Sequence, residues 1–192
     1  AATFTAGSEN ATAGNVVSVP ITVAPSAGET STDVNAYAIA ISYDSSVLTP
    51  VVKGTDEVGD NTYATVGDSF NSGVLTADLK DNETGNDEVL IGWAAASPVN
   101  VTEASTLATV DFTVNANATG STDVKVAVAQ VANSDSALAD KSTIEAASGT
   151  VTVDTAILYG DADGNGKIES EDASLIAKKA LDLISSFPVE NK

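Results

Sequence analysis

The stretch Asn35-Ala-Tyr-Ala-Ile-Ala-Ile-Ser-Tyr43 alternates small residues with large apolar ones. Successive side chains of a β-strand point to opposite faces of the sheet, so a period of two separates the large residues from the small ones. The pattern therefore predicts a half-buried strand whose tyrosines and isoleucines enter a core. It also predicts that Ala36, Ala38 and Ala40 face outward.

Eight other segments have strand-like composition and are separated by clusters of Gly, Asn, Asp and Pro. The candidate strands are Thr3–Ala6, Asn15–Val23, Asn35–Tyr43, Val47–Lys53, Gly73–Leu79, Val89–Ala95, Ser105–Val114, Asp123–Val131 and Gly149–Asp154. Residues 1–154 are thus predicted to form an all-β domain, a nine-stranded β-sandwich of jelly-roll type. The composition shifts near Thr155, which we take as the boundary to a second region, residues 155–192.

The sixth candidate strand repeats the alternation of the third. Its parity places Val89, Ile91 and Trp93 inward. The residues predicted to face outward are Leu90, Gly92 and Ala94. If the two strands are neighbours, their outward residues form one flat, weakly polar surface that fits a protein partner. The alternative interpretation is that a loop or a helix from the C-terminal region covers this face, or that small residues are merely tolerated there.

The composition excludes several classes of function. The sequence contains no His, Cys, Met or Arg, so it has no imidazole-based triad, no thiol chemistry and no typical zinc site. Only a pair of carboxylates could do acid–base work. The net charge of −19 argues against nucleic-acid or anionic-membrane partners, and no apolar run is long enough to span a bilayer. We expect a binding protein from which any signal peptide has been removed.

The second decisive stretch is Asp161-Ala-Asp-Gly-Asn-Gly-Lys-Ile-Glu-Ser-Glu-Asp172. It places oxygen ligands at loop positions 1, 3, 5 and 12 and a glycine at position 6, where the backbone must turn sharply around an ion. Ca²⁺ prefers six to eight oxygen ligands, so the loop is predicted to bind Ca²⁺. The candidate ligands are Asp161, Asp163, Asn165, Glu169, Asp172 and the backbone carbonyl of Lys167. A metal-free acidic turn is the alternative.

A helix is predicted directly after this loop. It should begin near Ser170 as its N-cap and end before Pro188. Its predicted apolar face consists of Ile176, Ala180, Leu183 and Ile184. Ile168 at loop position 8 is expected to pin the loop to a neighbouring core. Because so short a region cannot bury that face alone, a second repeat, the sandwich or another chain is needed to cover it.

The run from Tyr159 to Asp172, the following helix and Phe187-Pro188 resemble a dockerin repeat. The resemblance implies a Ca²⁺-dependent, EF-hand-like plug module that binds a cohesin, and it explains the Asp at position 12. It also implies recognition residues at Ser170, Glu171 and Lys178. A dockerin has two such repeats and only one precedes Lys192, so we expect residues 155–192 to be the first half of a dockerin, with the second repeat absent.

The sandwich in turn resembles the cohesins, the socket modules that receive dockerins. The resemblance rests on Ile41-Ser-Tyr-Asp-Ser-Ser-Val-Leu48, Val89-Leu-Ile-Gly-Trp-Ala94 and Val131-Ala-Asn-Ser-Asp135, in that order. It implies that dockerin-bearing proteins bind the outward residues of the third and sixth strands. The chain would then be a non-catalytic scaffoldin or adaptor of extracellular, bacterial complexes of the cellulosome type, which degrade polysaccharides.

The rival hypothesis is a carbohydrate-binding sandwich or a hydrolase fragment that carries a dockerin as its tether. A sugar site should expose several aromatic residues, yet the parity of Trp93 places the only tryptophan inside. A glycoside hydrolase needs two facing carboxylates about 5–10 Å apart, and we expect the acidic residues all to lie in turns.

Overall fold

A computed structural model of the chain describes residues 2–80, 86–133, 143–154 and 159–188. The chain separates into two compact units, Ala1–Thr155 and Ala156–Lys192. The predicted boundary at Thr155 and part of the stretch 131–135 lie outside the described residues.

The described part of the first unit contains fourteen strands and a 3-10 helix, Asp68–Phe70. The strands are β1 Ala2–Ala6, β2 Glu9–Thr12, β3 Val16–Pro25, β4 Thr32–Asp44, β5 Leu48–Pro50, β6 Gly54–Thr55, β7 Asn61–Thr62, β8 Thr65–Val66, β9 Val74–Lys80, β10 Asn86–Val101, β11 Ser105–Val114, β12 Gly120–Ala132, β13 Ile144–Ala147 and β14 Gly149–Asp154. One sheet has the order β13-β1-β3-β11-β5, with β8 also paired to β11. The other has the order β2-β14-β12-β4-β10-β9, and β6 pairs with β7 in a small hairpin.

The two large sheets share one apolar core. Alternate residues of their strands are buried, and the largest fully buried side chains include Tyr43, Phe4, Phe70, Phe112 and Ile21. Burial of such side chains is the main favourable contribution to folding. The predicted all-β sandwich is therefore confirmed, whereas its assignment to the jelly-roll type stays a prediction.

The count of nine strands was wrong for the described residues, which contain all nine predicted segments and five short strands more. The longest of the additional strands are β2 and β13, which pair in parallel with β14 and β1. Both have mostly exposed or half-buried residues and lack a clear alternation. Their hydrogen-bonding partners are distant in sequence, so local patterning carries no signal for them.

The chain passes from one sheet to the other between β1 and β2, and again between β13 and β14. These crossings approach closely at Gly7 and Gly149. A Cβ atom on Gly149 would lie 2.1 Å from the carbonyl oxygen of Gly7, which is far inside van der Waals contact. The two crossings therefore require glycine at position 149.

The second unit contains one helix in its described residues, α1 Ser170–Ala180. The helix is shorter than predicted because Asp182 adopts a left-handed conformation with φ 57°. The Asp182 and Leu183 N–H groups donate to the carbonyls of Lys179 and Lys178. This Schellman-type end gives hydrogen-bond partners to carbonyls of the last turn, which have none within the helix. The predicted helix face is thus wrong for Leu183 and Ile184, which follow the helix. The N-cap is Glu169 and not Ser170.

Candidate functional site

The outward face of the second sheet brings together the outward residues that were predicted for the third and sixth candidate strands, which are β4 and β10. Strands β4 and β10 pair antiparallel with Ala36 opposite Ala94, Ala38 opposite Gly92 and Ala40 opposite Leu90. We call these six residues the plateau. Because directly opposite residues of a ladder point to the same face, the plateau is one continuous surface.

The predicted parity of both strands is confirmed. Tyr37, Ile39, Ile41 and Tyr43 on β4, and Val89, Ile91 and Trp93 on β10, are buried. The plateau residues are half-buried or exposed, as are the outward residues of a half-buried sheet. Leu90 is 39% exposed and is the largest side chain of the plateau. It can supply an apolar anchor in a surface otherwise made of alanines and glycine.

Strands β12 and β9 extend the plateau on both sides. Ala127 lies opposite Ala40, and Thr76 and Asp78 of β9 lie opposite Gly92 and Leu90. These contributions could not be predicted from β4 and β10 alone, because they depend on which strands lie next to that pair in the sheet. The alternation in Gly120–Ala132, whose outward residues are exposed, was the available signal.

One end of the plateau carries charge. A single row across the sheet consists of Lys125, Ser42, Glu88 and Lys80, on four successive strands. The Ser42 hydroxyl donates to Glu88 Oε1 at 3.5 Å, which holds the carboxylate over β4. This row places two ammonium groups at the flanks and one carboxylate between them, so the end of the plateau can contact partner groups of either sign.

A groove of about 380 Å³ lies at the opposite end, between β9 and the β6–β7 hairpin. Its walls come from residues 55–58 and 74–76. Val58 is 81% exposed and Val74 68%, so the groove presents apolar side chains to solvent. The rim is acidic because Asp56 and Glu57 line it. Asp56 Oδ1 accepts hydrogen bonds from the N–H groups of Val58 and Asp60, which fixes the turn of the hairpin.

An aromatic cluster supports the plateau from below. The rings of Tyr37 and Trp93 stack at 5.6 Å, and Trp93 Nε1–H donates to the Phe70 carbonyl at 2.9 Å. The Tyr37 hydroxyl is buried and has no hydrogen-bond partner among the described residues, and its burial raises the pKa of this phenol. Trp93 is only 3% exposed, which confirms that it belongs to the core.

In the second unit, the predicted loop brings three carboxylates together. Oxygen atoms of Asp161, Asp163 and Asp172 lie within 4.8 Å of one another. Asp172 is 1% exposed, and its two oxygens accept hydrogen bonds from the N–H groups of Ala162 and Glu169 at 2.8 and 2.7 Å. The Asp163 N–H also donates to Asp172 Oδ1, at 3.3 Å, so the loop backbone holds this buried carboxylate beside the other two acids.

The backbone of the loop is folded around Asp161. Its oxygens accept hydrogen bonds from the N–H groups of Gly164, Asn165 and Gly166, at 2.7, 3.1 and 2.7 Å. Partial desolvation would raise the pKa of this carboxyl, but those N–H donors outweigh it and keep the pKa below its ordinary value. Gly166 has φ 86°, a conformation that glycine adopts without steric cost.

The remaining predicted ligands are arranged less tightly. Asn165 Nδ2 donates to Asp163 Oδ2 at 3.0 Å, and Glu169 Oε1 lies 3.9 Å from the Lys167 ammonium. Each of the six candidate ligands offers an oxygen atom, the kind of ligand that Ca²⁺ prefers, so the set fits this ion. Ile168 does not pin the loop to a core. It is 62% exposed, since the described part of this unit has no apolar layer to receive it.

The predicted recognition residues of the helix, Ser170, Glu171 and Lys178, are all exposed. Ser170 Oγ donates to Glu171 Oε2 at 3.2 Å. Their exposure leaves them accessible to a partner protein.

The structure offers little for the rival sugar-binding hypothesis. All nine aromatic residues lie within the described ranges, and those of the sandwich are buried except the half-buried Tyr63. The expectation that the acidic residues lie in turns was wrong, since Asp78, Glu88, Asp111 and Asp123 lie in strands. No helix among the described residues is long and apolar enough to cross a membrane.

Several solved structures share this fold. A type I cohesin from Pseudobacteroides cellulosolvens is 19% identical, with a TM-score of 0.57, over 82% of this chain and 95% of its own. A non-cellulosomal cohesin from Archaeoglobus fulgidus is 15% identical, with a TM-score of 0.52, over 80% and 91% of the two chains. A type I cohesin–dockerin complex from Clostridium thermocellum contains a chain that is 13% identical, with a TM-score of 0.58, over 80% and 99%.

No curated protein matches the sequence. The Cohesin domain family matches residues 2–153, which is nearly all of the sandwich and most of the chain. The chain therefore belongs to the cohesin domain family.

Proposed function

We propose that the sandwich is a socket that binds dockerin modules through the plateau, in extracellular complexes of the cellulosome type. The observation that carries the proposal is the pairing of β4 with β10, which places six outward residues, all but Leu90 without a bulky side chain, on one exposed surface. The cohesin–dockerin complex from Clostridium thermocellum supports it, since a protein of the same fold binds a dockerin there.

The chemistry of the plateau suits a helical partner. Alanine and glycine let a helix backbone approach the sheet closely, and their desolvation carries little polar cost. Leu90, in the plateau row beside the charged row, would be the apolar anchor, and the charged row would fix the partner's orientation. This sheet face is thus a binding surface, not a catalytic one. Cohesin domains are non-catalytic interaction modules, and the protein is not an enzyme.

We further propose that residues 155–192 form a dockerin-like, EF-hand-like repeat that binds Ca²⁺ and plugs into a cohesin. The support is the grouping of three carboxylates within 4.8 Å, which repel one another unless a cation neutralises them. Asp161, Asp163, Asn165, Glu169, Asp172 and the Lys167 carbonyl would hold the ion. The bound ion would supply charge neutralisation. The helix would then present Ser170, Glu171 and Lys178 to a cohesin.

A chain with these two modules would be an adaptor. One partner would bind the sandwich, and the repeat would attach the chain to another protein, so that complexes acting on polysaccharides grow by addition of modules.

Calorimetric titration of the chain with a panel of purified dockerin modules tests the socket. We expect at least one dockerin to bind with 1:1 stoichiometry and Leu90→Arg to weaken that binding at least tenfold, because the variant would bury a charge in the interface where the wild type buries its largest apolar side chain. Val16→Arg is the matched control, since Val16 is 58% exposed and lies on β3, in the other sheet. Binding that survives Leu90→Arg, or retention on insoluble polysaccharide without any dockerin binding, would contradict the proposal.

A further inference from the structure

We propose that Asn165 is a site of spontaneous deamidation, and that closure of the loop 161–172 around its ion protects it. A chain that stays without calcium would convert Asn165 and lose its C-terminal module irreversibly. The inference rests on the proposed function, because it assumes that the loop closes on Ca²⁺. It is carried by the pair Asn165-Gly166 and by the hydrogen bonds that hold both residues in the folded loop.

The loop contains the only Asn-Gly pair of the chain. Glycine has no Cβ atom, so no side chain hinders its backbone nitrogen from approaching the Cγ atom of the preceding asparagine. An asparagine followed by a larger residue reacts more slowly for this reason. Asn165 is also exposed, so water reaches it. The sequence therefore places the most reactive type of asparagine among the candidate ligands of the ion.

The reaction is redox-neutral and consumes only water. The Gly166 nitrogen forms a bond to Asn165 Cγ, and the side-chain nitrogen leaves as ammonia with the proton that the Gly166 nitrogen gives up. Water then opens the five-membered succinimide at one of its two carbonyls. Opening at Cγ gives aspartate at position 165. Opening at the main-chain carbonyl gives isoaspartate, whose main chain is one methylene longer.

Three hydrogen bonds oppose this step in the folded loop. The Gly166 N–H donates to Asp161 Oδ2 at 2.7 Å, so the attacking nitrogen is engaged with a carboxylate. The Asn165 amide is fixed at both ends, because its Nδ2 donates to Asp163 Oδ2 at 3.0 Å and its Oδ1 accepts from the Lys167 N–H at 2.9 Å. Asn165 Cγ can therefore turn toward the Gly166 nitrogen only when these bonds break.

The carboxylates of the loop determine how often it opens. The closed loop gathers oxygens of Asp161, Asp163 and Asp172 within 4.8 Å. Their repulsion favours the open loop until a cation neutralises them. The observed rate of deamidation is the rate in the open loop multiplied by the fraction of time for which the loop is open. Calcium should therefore slow the reaction, and chelation should accelerate it.

The two products differ in their effect on the loop. Aspartate keeps a side-chain oxygen at loop position 5 and the normal length of the main chain, so the ion can still be held. Isoaspartate adds one carbon to the main chain between Asp163 and Asp172, which displaces the ligands on its two sides relative to each other. The isoaspartate form should therefore lose both the ion and the helix that follows the loop.

Ageing of the intact chain at neutral pH, in millimolar calcium or in chelator, tests the proposal. Peptide mass spectrometry measures the mass increase at Asn165, and chromatography separates the two products. We expect conversion to be at least tenfold faster in chelator, the ratio for a loop that is open less than about one tenth of the time in calcium. Asn71 is the internal control. It is exposed, lies in the first unit and is followed by Ser72, so its slower conversion should be equal in both media.

Circular dichroism of the separated products tests the consequence. Recombinant Asn165→Asp, which is one of the two products, should gain helical signal with calcium as the fresh wild type does. The isoaspartate form should not. Treatment with an isoaspartyl methyltransferase, which converts isoaspartate toward aspartate, should restore part of the signal, and this would distinguish the modification from other damage.

Equal rates of Asn165 conversion in calcium and in chelator, whether fast or slow, would overturn the inference. So would an Asn71 rate that changes in parallel, or an isoaspartate form whose helix still responds to calcium. Fresh wild-type chain separates this failure from that of the proposed function. If its helix does not respond to calcium, the calcium module fails and the inference with it. If its helix responds but the two rates are equal, only the inference fails.

Discussion

The sandwich and the C-terminal unit are stabilised by different interactions. The sandwich has an apolar core that includes fully buried Phe4, Phe70 and Phe112. In the described part of the second unit, only Ala162 and Asp172 are buried. The sandwich therefore depends on burial of apolar surface, whereas the loop and helix depend on hydrogen bonds between carboxylates and backbone N–H groups.

This difference separates the two units in their response to solution conditions. An apolar core is insensitive to calcium, but a loop that gathers three carboxylates is stable only if their repulsion is balanced. Isolated short helices are also marginal in water, and α1 has eleven residues. We therefore expect the units to lose structure independently, and substitutions in each can test this expectation.

The largest effect is expected from Phe112→Ala. Phe112 is fully buried, with its ring 5.2 Å from that of Tyr43, so its removal leaves a cavity between the sheets. We expect the free energy of unfolding of the sandwich to fall by about 3–5 kcal/mol. Urea denaturation followed by the fluorescence of Trp93, the only tryptophan, measures this change.

Thr113→Ala on the same strand is the control for that substitution. Thr113 is half-buried on the outward face, so its loss should cost less than about 1 kcal/mol. The calcium-dependent helical signal of the second unit should be the same in both variants. Loss of that signal in Phe112→Ala, while Trp93 is still buried, would show that the units do not fold independently.

The next largest effect is expected from Asp172→Asn. An amide keeps one acceptor oxygen, but its nitrogen cannot accept the hydrogen bond that Glu169 N–H gives to Asp172 Oδ2 at 2.7 Å. The lost bond and the lost negative charge should destabilise the loop by on the order of 2 kcal/mol. We expect the variant, and the wild type after calcium chelation, to lose the helical circular dichroism signal while Trp93 fluorescence stays unchanged.

Asp182→Asn makes the same chemical change at an exposed carboxylate in the same unit. Asn tolerates the left-handed conformation of this position, so the helix should be retained. An equal loss of helix in both variants would mean that net charge, and not the geometry around Asp172, stabilises the unit. A helix that persists in chelator would remove the support for a calcium-dependent fold.

The parity of the central strands could be predicted from the sequence because it depends on neighbouring residues only. Alternation alone placed Tyr37 and Trp93 inside and Ala38 outside, and all three predictions are confirmed. The short strands β2 and β13 could not be predicted, because their hydrogen bonds come from segments that are far away in sequence. Likewise, β9 and β12 join the plateau through sheet order, which alternation does not encode.

In the second unit, the motif predicted the grouping of Asp161, Asp163 and Asp172 correctly. It did not predict where the helix ends, because the left-handed position is occupied by Asp182 and not by the glycine that usually marks such an end. It also did not predict the exposure of Ile168, since a loop motif specifies the ligands of an ion and not what packs against its apolar position.

The smallest effect concerns a carboxylate of the sandwich, where we expect charge to matter little. Lys53 Nζ lies 2.7 Å from Asp111 Oδ2 in a partly exposed ion pair. Desolvation raises the pKa of Asp111, but hydrogen bonds from Lys53 and Ser18 and the Lys53 charge outweigh it and keep the pKa below its ordinary value.

A lowered folded pKa means that the ion pair stabilises the sandwich above the unfolded pKa of Asp, about 3.9. This contribution is lost as the pH falls through the still lower folded value. Lys53→Met keeps most of the aliphatic stem and removes the charge, so it should cost about 0.5 kcal/mol at neutral pH and nothing at the acid limit. Urea denaturation of the wild type and of Lys53→Met, from neutral pH to the acid limit, measures the difference in their free energies of unfolding. A cost comparable to that of Asp172→Asn, or one that grows toward acid pH, would mean that carboxylates stabilise both units alike.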